Sequence, residues 1–226
     1  MISLLNRIIS RIKGESFYID NKIGFGYLIF IFLEKGVNFI NGLIVLNRVH
    51  CYIHPSSIIK FRSKIKFQKN LSIDRWCYID ALSTEGILFG KNVSIGKFTS
   101  IECSGSLKQI GKGLIVGDNV GLGTRGHYGC AGGVIIGNDT IIGNNVSFHS
   151  ENHNFDNINI PIRSQGVTHK GIKIGNNCWI GAKATFLDGC EIGNGCVVAA
   201  GAIVKDIFPD NSVIAGVPAK IVKKRD

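Results

Sequence analysis

Residues 174–209 read IGNNCW, IGAKAT, FLDGCE, IGNGCV, VAAGAI, VKDIFP when cut every six residues. Each block opens on a large apolar side chain: Ile174, Ile180, Phe186, Ile192, Val198 and Val204. A helix repeats its apolar residues every 3.6 positions and a simple strand every 2, so a step of six suits neither alone. It suits a short strand, a tight corner, and the same again. Three such units close one triangular turn, and turns stack at the spacing of paired strands. The large residue fills the interior, while Gly or Asn takes the corner positions that require positive φ.

The step extends backwards from this block. Ile136, Ile142 and Phe148 keep it, as do Val116 with Leu122, and Phe89, Ile95, Ile101 and Leu107; a weaker ladder of Ile53, Ile59, Ile65 and Leu71 carries it almost to residue 50. The sequence therefore predicts an all-β parallel β-helix over 51–207, with a short helical segment within 1–50 and a basic tail over 208–226. Cys178 and Cys196 stand 18 residues apart, one full turn, and are expected inside as small filler. Three breaks interrupt the period: 107–116, 122–136 and 148–174. The last is too long for a corner and is expected to leave the body as a loop over 149–173, and such interruptions are where repeat proteins place function.

Bulk composition narrows the class. Hydrophobic residues make up 45% of 226 positions, enough for a sizeable core, and 29 glycines are about twice average usage. The net charge of +10 suits an anionic partner. No zinc-finger spacing or basic–aromatic nucleic-acid module accompanies it, so nucleic acid is not expected. Seven cysteines, an odd number with no CxxC, favour reduced thiols and a cytoplasmic protein.

At the amino end Leu5, Ile8, Ile9 and Ile12 form a helical stripe beside Arg7, Arg11 and Lys13. Residues 1–14 read equally as a helix on an anionic membrane face or as a cap over the first turn. The apolar run Ile23–Leu46 is interrupted by Glu34 and Lys35 into two pieces of eleven residues. A span needs about 20 apolar residues, so no transmembrane helix is expected here.

Three stretches carry a family likeness: SENHNFDN (150–157), QGVTHKGIKIGNNCWIGAKATFLDGCEIGNGCVVAAGAIVKDI (165–207) and AGVPAKIVKK (215–224). Residues 136–224 resemble the bacterial hexapeptide-repeat O-acetyltransferases, above all the branch that modifies capsule, O-antigen and other surface glycans. The resemblance implies a left-handed coil, against the usual right-handed crossover rule. It also implies a homotrimer with acetyl-CoA in the clefts between subunits, a sugar hydroxyl as acceptor, and His153 as the catalytic base.

Histidine suits that role because its pKa of about 6.5 lets it take a proton from a hydroxyl near neutral pH. His149, four residues earlier, is the rival base and a candidate acceptor contact. Asn152 and Asn154 either fix the turn or bond the acceptor. His127 and Tyr128 are candidate acceptor contacts, since the matching stretch GTRG (123–126) lacks the Asn that some sugar acetyltransferases of this class use. Glu151 is placed to orient an imidazole or to be solvated.

For acetyl-CoA the candidates are Trp179, Ala182, Ala200, Lys205 and Lys220. Trp179 lies where the family's pantetheine arm runs, and equally suits a subunit interface. Ala182 and Ala200 stack on one edge and leave backbone groups free. The lysines, with Lys223, Lys224 and Arg225, suit the phosphates. No cysteine lies in 149–173, so direct attack on the thioester is favoured over a covalent intermediate, and no metal ion is expected. A small-molecule hydroxyl as acceptor, or a non-catalytic scaffold, are the competing readings.

Overall fold

A computed structural model describes residues 19–20 and 22–226. The stretch Leu5–Ile12, and with it the question of residues 1–14, lies outside the described residues. From Cys51 onward the chain visits three parallel sheets in strict rotation. The first face begins with Cys51–Ile53, the second with Ile58–Lys60 and the third with Ile65–Lys69. The second and third faces hold seven strands each, which makes seven complete circuits. An eighth strand, Ser212–Gly216, continues the first face, and Ala219–Lys224 turns back antiparallel against it.

Register shows why the step of six works. Trp179 pairs with Val197 and Ile180 with Val198, so 18 residues make one circuit and every sixth side chain points inward. Ile174, Ile180, Phe186, Ile192, Val198 and Val204 are all buried in one cluster, together with Cys178 and Cys196. Tyr128, Phe148 and Phe186 stack through it with ring centroids 5.0 and 4.6 Å apart. At the corner leading back to the first face, Asn70, Asn92 and Asn119 have φ of 56–58°. Asn tolerates that conformation better than most side chains. Their amides form a ladder, Asn70 Nδ2 to Asn92 Oδ1 at 2.9 Å and Asn92 Nδ2 to Asn119 Oδ1 at 2.8 Å.

Two of the breaks project and one does not. Residues 103–112 and 150–171 both leave at the corner between the second and third faces. Leu107, expected as a rung, sits in the first of these insertions and is exposed. The 122–136 break is no loop, because Leu122, Tyr128 and Val134 continue the inward ladder.

The amino-terminal segment differs most from expectation. It is one continuous helix, α1, Phe25–Leu46, of 22 residues, long and apolar enough by length and composition to cross a membrane. Glu34 does not break it, because its carboxylate is turned onto the stack. There it accepts a hydrogen bond from Arg75 Nη2, with His54 Nε2 4.0 Å away. Asn41 Nδ2 donates to the Ile53 carbonyl at 3.0 Å, and Val45 and Leu46 pack on the core. Gly42 lies against the Cys51 carbonyl, and any Cβ there would collide with it. The helix thus covers the open first circuit.

Candidate active site

The corner between the second and third faces gathers the titratable side chains. Ser150 ends the second face, and its hydroxyl donates to the Gly129 carbonyl at 2.8 Å and accepts from Gly132 N–H at 2.9 Å. The loop then leaves as a short antiparallel ribbon in which Asn152 pairs with Thr168 and His153 with Val167. Asn154 closes it, its Nδ2 donating to the Gln165 carbonyl at 3.0 Å. On the return side the buried Asp188 carboxylate accepts from Lys170 N–H at 2.9 Å and Gly171 N–H at 2.8 Å. A loop otherwise free to sway is therefore fixed at its root.

His153 and Asn152 are exposed on this ribbon, beyond the body of the stack. Glu151 orients a histidine other than His153: its Oε2 lies 2.7 Å from His169 Nε2, across the loop's neck. Gln109, from the other insertion, reaches His169 Nδ1 at 3.5 Å. Sequence spacing gives no hint of this pairing, because its members are 18 and 60 residues apart.

Beneath the ribbon, the outer second face carries His127 and His149 with ring centroids 5.5 Å apart. His127 Nδ1 is 2.8 Å from Ser100 Oγ and 3.9 Å from Glu102 Oε1. Gly129 lies between Glu102 and His149 in register, and a Cβ there would stand 3.1 Å from the Phe148 carbonyl oxygen and 3.4 Å from His127 Nε2, so the backbone at this point is closely approached. Burial pushes the His149 pKa below its usual value, and the charge of His127 adds to that. Neither Glu102 nor Gly129 was a candidate from sequence.

Tyr128 is not part of this surface. Strand alternation puts His127 and Gly129 outward and Tyr128 inward, where it is fully buried and its hydroxyl donates to the Leu122 carbonyl at 3.2 Å. A side chain so enclosed does not reach an acceptor.

The remaining candidates lie elsewhere on the stack. Trp179 is exposed on the first face, in register between Ile141 and Val197. Ala182 and Ala200 sit at the corner between the first and second faces, and Gly201 N–H donates to the Ala182 carbonyl at 2.9 Å. Neither alanine's N–H has an acceptor among the described residues, so two backbone donors stand free beside small side chains. Lys205 is exposed at the far corner, two circuits past the loop root. Lys220 is exposed on the terminal hairpin. Its neighbours are engaged: Lys224 Nζ donates to Asp210 O and Ser212 Oγ, both at 3.0 Å, and Arg225 Nη1 donates to Gly195 O at 2.5 Å. Within one chain the width of the second face separates the alanine corner from the His153 loop. Among the described residues no three His, Cys, Asp or Glu side chains are grouped as a metal site.

Comparison with known proteins agrees with this architecture. Residues 171–206 match the family described as bacterial transferase hexapeptide (six repeats). The chain is 35% identical over 167 residues to the putative lipopolysaccharide biosynthesis O-acetyl transferase WbbJ of Escherichia coli K12, covering 70% of this chain and 81% of that one. It is 35% identical over 92 residues to the galactoside O-acetyltransferase of the same organism, covering 40% and 44% of the two chains. A putative acetyltransferase of Bacillus cereus shares the fold at TM-score 0.53 and 21% identity, over 75% of this chain and 84% of that one. So does the N-acyltransferase AntD of Bacillus cereus, in complex with dTDP-4-amino-4,6-dideoxyglucose and coenzyme A. Its TM-score is 0.52 at 19% identity, over 78% and 82% of the chains. The rotation through three parallel sheets, the six-residue rungs and these likenesses have one source: the chain belongs to the hexapeptide-repeat transferase family and is an acetyltransferase of it.

Proposed function

We propose that the chain transfers an acetyl group from acetyl-CoA to a hydroxyl of a sugar in a bacterial surface polysaccharide or its precursor. On this reading the stack is a left-handed β-helix working as a homotrimer in the cytoplasm, where its seven buried free thiols remain reduced. The observation that carries it is the separation just described. The loop bearing His153 and the free N–H groups of Ala182 and Ala200 stand on opposite edges of the second face. A cleft between two copies brings one chain's loop edge to its neighbour's alanine edge.

In that cleft the pantetheine arm runs along the alanine corner, its amides accepting from the two free N–H groups, with Trp179 beside it. The sugar lies over Gly129, where no side chain projects, against His127, His149 and Asn152. His153 takes the proton of the acceptor hydroxyl as its oxygen attacks the thioester carbonyl carbon. The tetrahedral intermediate collapses by breaking the carbon–sulfur bond. The coenzyme leaves as a thiolate, to which the His153 imidazolium returns the proton, so the enzyme is unchanged. Lys205 and Lys220 supply positive charge for the coenzyme phosphates. The relatives named for lipopolysaccharide and galactoside O-acetylation support a sugar acceptor.

The test is release of free coenzyme A thiol from acetyl-CoA by the purified chain, measured with nucleotide-linked and lipid-linked sugars and with serine and aminoglycoside hydroxyls. Release that depends on the sugars supports the proposal. Turnover confined to the small molecules contradicts the glycan reading, and no turnover with any acceptor favours a scaffold.

A further inference from the structure

Helix α1 uses only one stripe to hold the stack. Among its half-buried positions Leu28, Ile31, Glu34, Asn38, Asn41 and Val45 follow one another at the helical spacing of three and four, and Phe39, Gly42, Leu43 and Leu46 widen the contact toward the carboxyl end. The opposite side is apolar and bare: Phe25, Ile29, Phe32, Val37, Ile40 and Ile44 are exposed, Phe32 at 77% and Ile44 at 73%. The helix carries two charges and neither lies on that side: Glu34 is turned onto Arg75, and Lys35, though exposed, stands one turn after Ile31 and two turns before Gly42, at the margin of the stack-facing stripe. At 1.5 Å per residue the strip from Phe25 to Ile44 is about 30 Å long. Contiguous exposed apolar surface of this kind marks a binding site.

Charge says what binds it. Residues 19–75 hold nine Lys or Arg and three Asp or Glu, whereas residues 76–226 hold fourteen and twelve. Five of the nine (Lys60, Arg62, Lys64, Lys66 and Lys69) belong to the first circuit, which α1 covers, and Arg48 joins the two. None of these six pairs with a carboxylate among the described residues. An apolar strip beside a cluster of unpaired cations matches an anionic bilayer, with acyl chains for the strip and headgroup phosphates for the lysines.

We propose that α1 lies in the plane of an anionic membrane surface and seats the enzyme on it by its first circuit. The helix does not span, although its length suffices. Spanning would withdraw Glu34 from Arg75, strip Asn41 from Ile53 and lift Gly42 off Cys51. In-plane binding keeps all three contacts and turns only the free face to lipid.

Flotation of the full chain with vesicles tests this. The chain should float with phosphatidylcholine–phosphatidylglycerol vesicles and stay largely unbound with phosphatidylcholine alone, and added salt should weaken the binding. The variant Phe32→Glu/Ile40→Glu/Ile44→Glu should lower the partition coefficient at least about a hundredfold. Its thermal transition, oligomeric size and turnover of acetyl-CoA in solution should remain those of the parent. As a variant that leaves the helix untouched, Arg62→Gln/Lys66→Gln/Lys69→Gln should lose on the order of a hundredfold on anionic vesicles and nothing on zwitterionic ones. The proposal is overturned if the parent ignores anionic vesicles or if both variants bind like it. It also fails if the Glu variant falls apart into smaller oligomers, which would make the strip a contact between copies. Carbonate-resistant insertion of the parent would make α1 a span.

Discussion

Phe148 joins the core to the site, and replacing it with alanine should damage both in proportion. The ring is fully buried between those of Tyr128 and Phe186. Removing a buried phenylalanine side chain costs about 3–5 kcal/mol through lost transfer energy and the cavity left behind. Each stacked ring pair adds roughly 0.5–1.5 kcal/mol. Neighbouring circuits are locked by their ladders and collapse little into the void, so a total of about 4–8 kcal/mol is expected for Phe148→Ala. In a chain of this size 1 kcal/mol moves the melting temperature by about 2–4 °C, so the transition should fall by roughly 10–30 °C. Phe148→Leu keeps most of the volume but loses both ring contacts, and should cost about 1–3 kcal/mol. Urea unfolding followed by circular dichroism reads the difference, with an unchanged slope m showing that the native state and not the unfolded ensemble has changed. Because His149 follows Phe148 on the same short strand, the alanine variant should also lose acetyl transfer where it is still folded. A cost below about 1.5 kcal/mol at unchanged m would mean that the three rings do not form a closed stack.

Three further expectations concern the site. If the cleft is shared between copies, His153→Ala and Ala182→Trp chains, each inactive alone, should recover activity when unfolded and refolded together, whereas sites confined to single chains would stay dead. The His149 imidazole should titrate below 6.5 by NMR, and His127→Ala should raise its midpoint only in part, since burial is the larger cause; a midpoint at or above 6.5 refutes this. The sign for stability follows: the folded chain resists protonating His149, so its contribution is present above the unfolded value and is lost as pH falls below about 6.5 toward the depressed folded one. Burial raises Cys51 and Cys190 to about 12 and Cys178 to about 11. The native chain at pH 8 should therefore resist alkylation at these three positions and react there only after denaturation, and rapid native labelling would reopen a thiol nucleophile.

What the sequence made legible was whatever must recur in each circuit. An inward rung has to be large and apolar every sixth residue, so Ile174 to Val204 announces the stack without help. Tyr128 was legible in the same way, because it stands six after Leu122 and six before Val134; the fourteen-residue spacing from Leu122 to Ile136 hid it. Leu107 matched the step by composition alone, in a segment whose neighbours fold outward. The length of α1 was obscured by Glu34, since a charge in an apolar run reads as a break unless its partner is known, and Arg75 lies 41 residues away. The Glu151–His169 pair and the place of Gly129 between Glu102 and His149 depend on which circuits lie side by side, and no local pattern records that.

The central claim rests on His153, and steady-state kinetics of His153→Ala with acetyl-CoA and a sugar acceptor tests it most directly. Loss of the base should lower kcat by at least about 10²-fold and leave acetyl-CoA binding nearly unchanged. A His153→Ala enzyme that keeps its kcat, above all if His149→Ala abolishes turnover, would move the base to the outer second face and contradict the account.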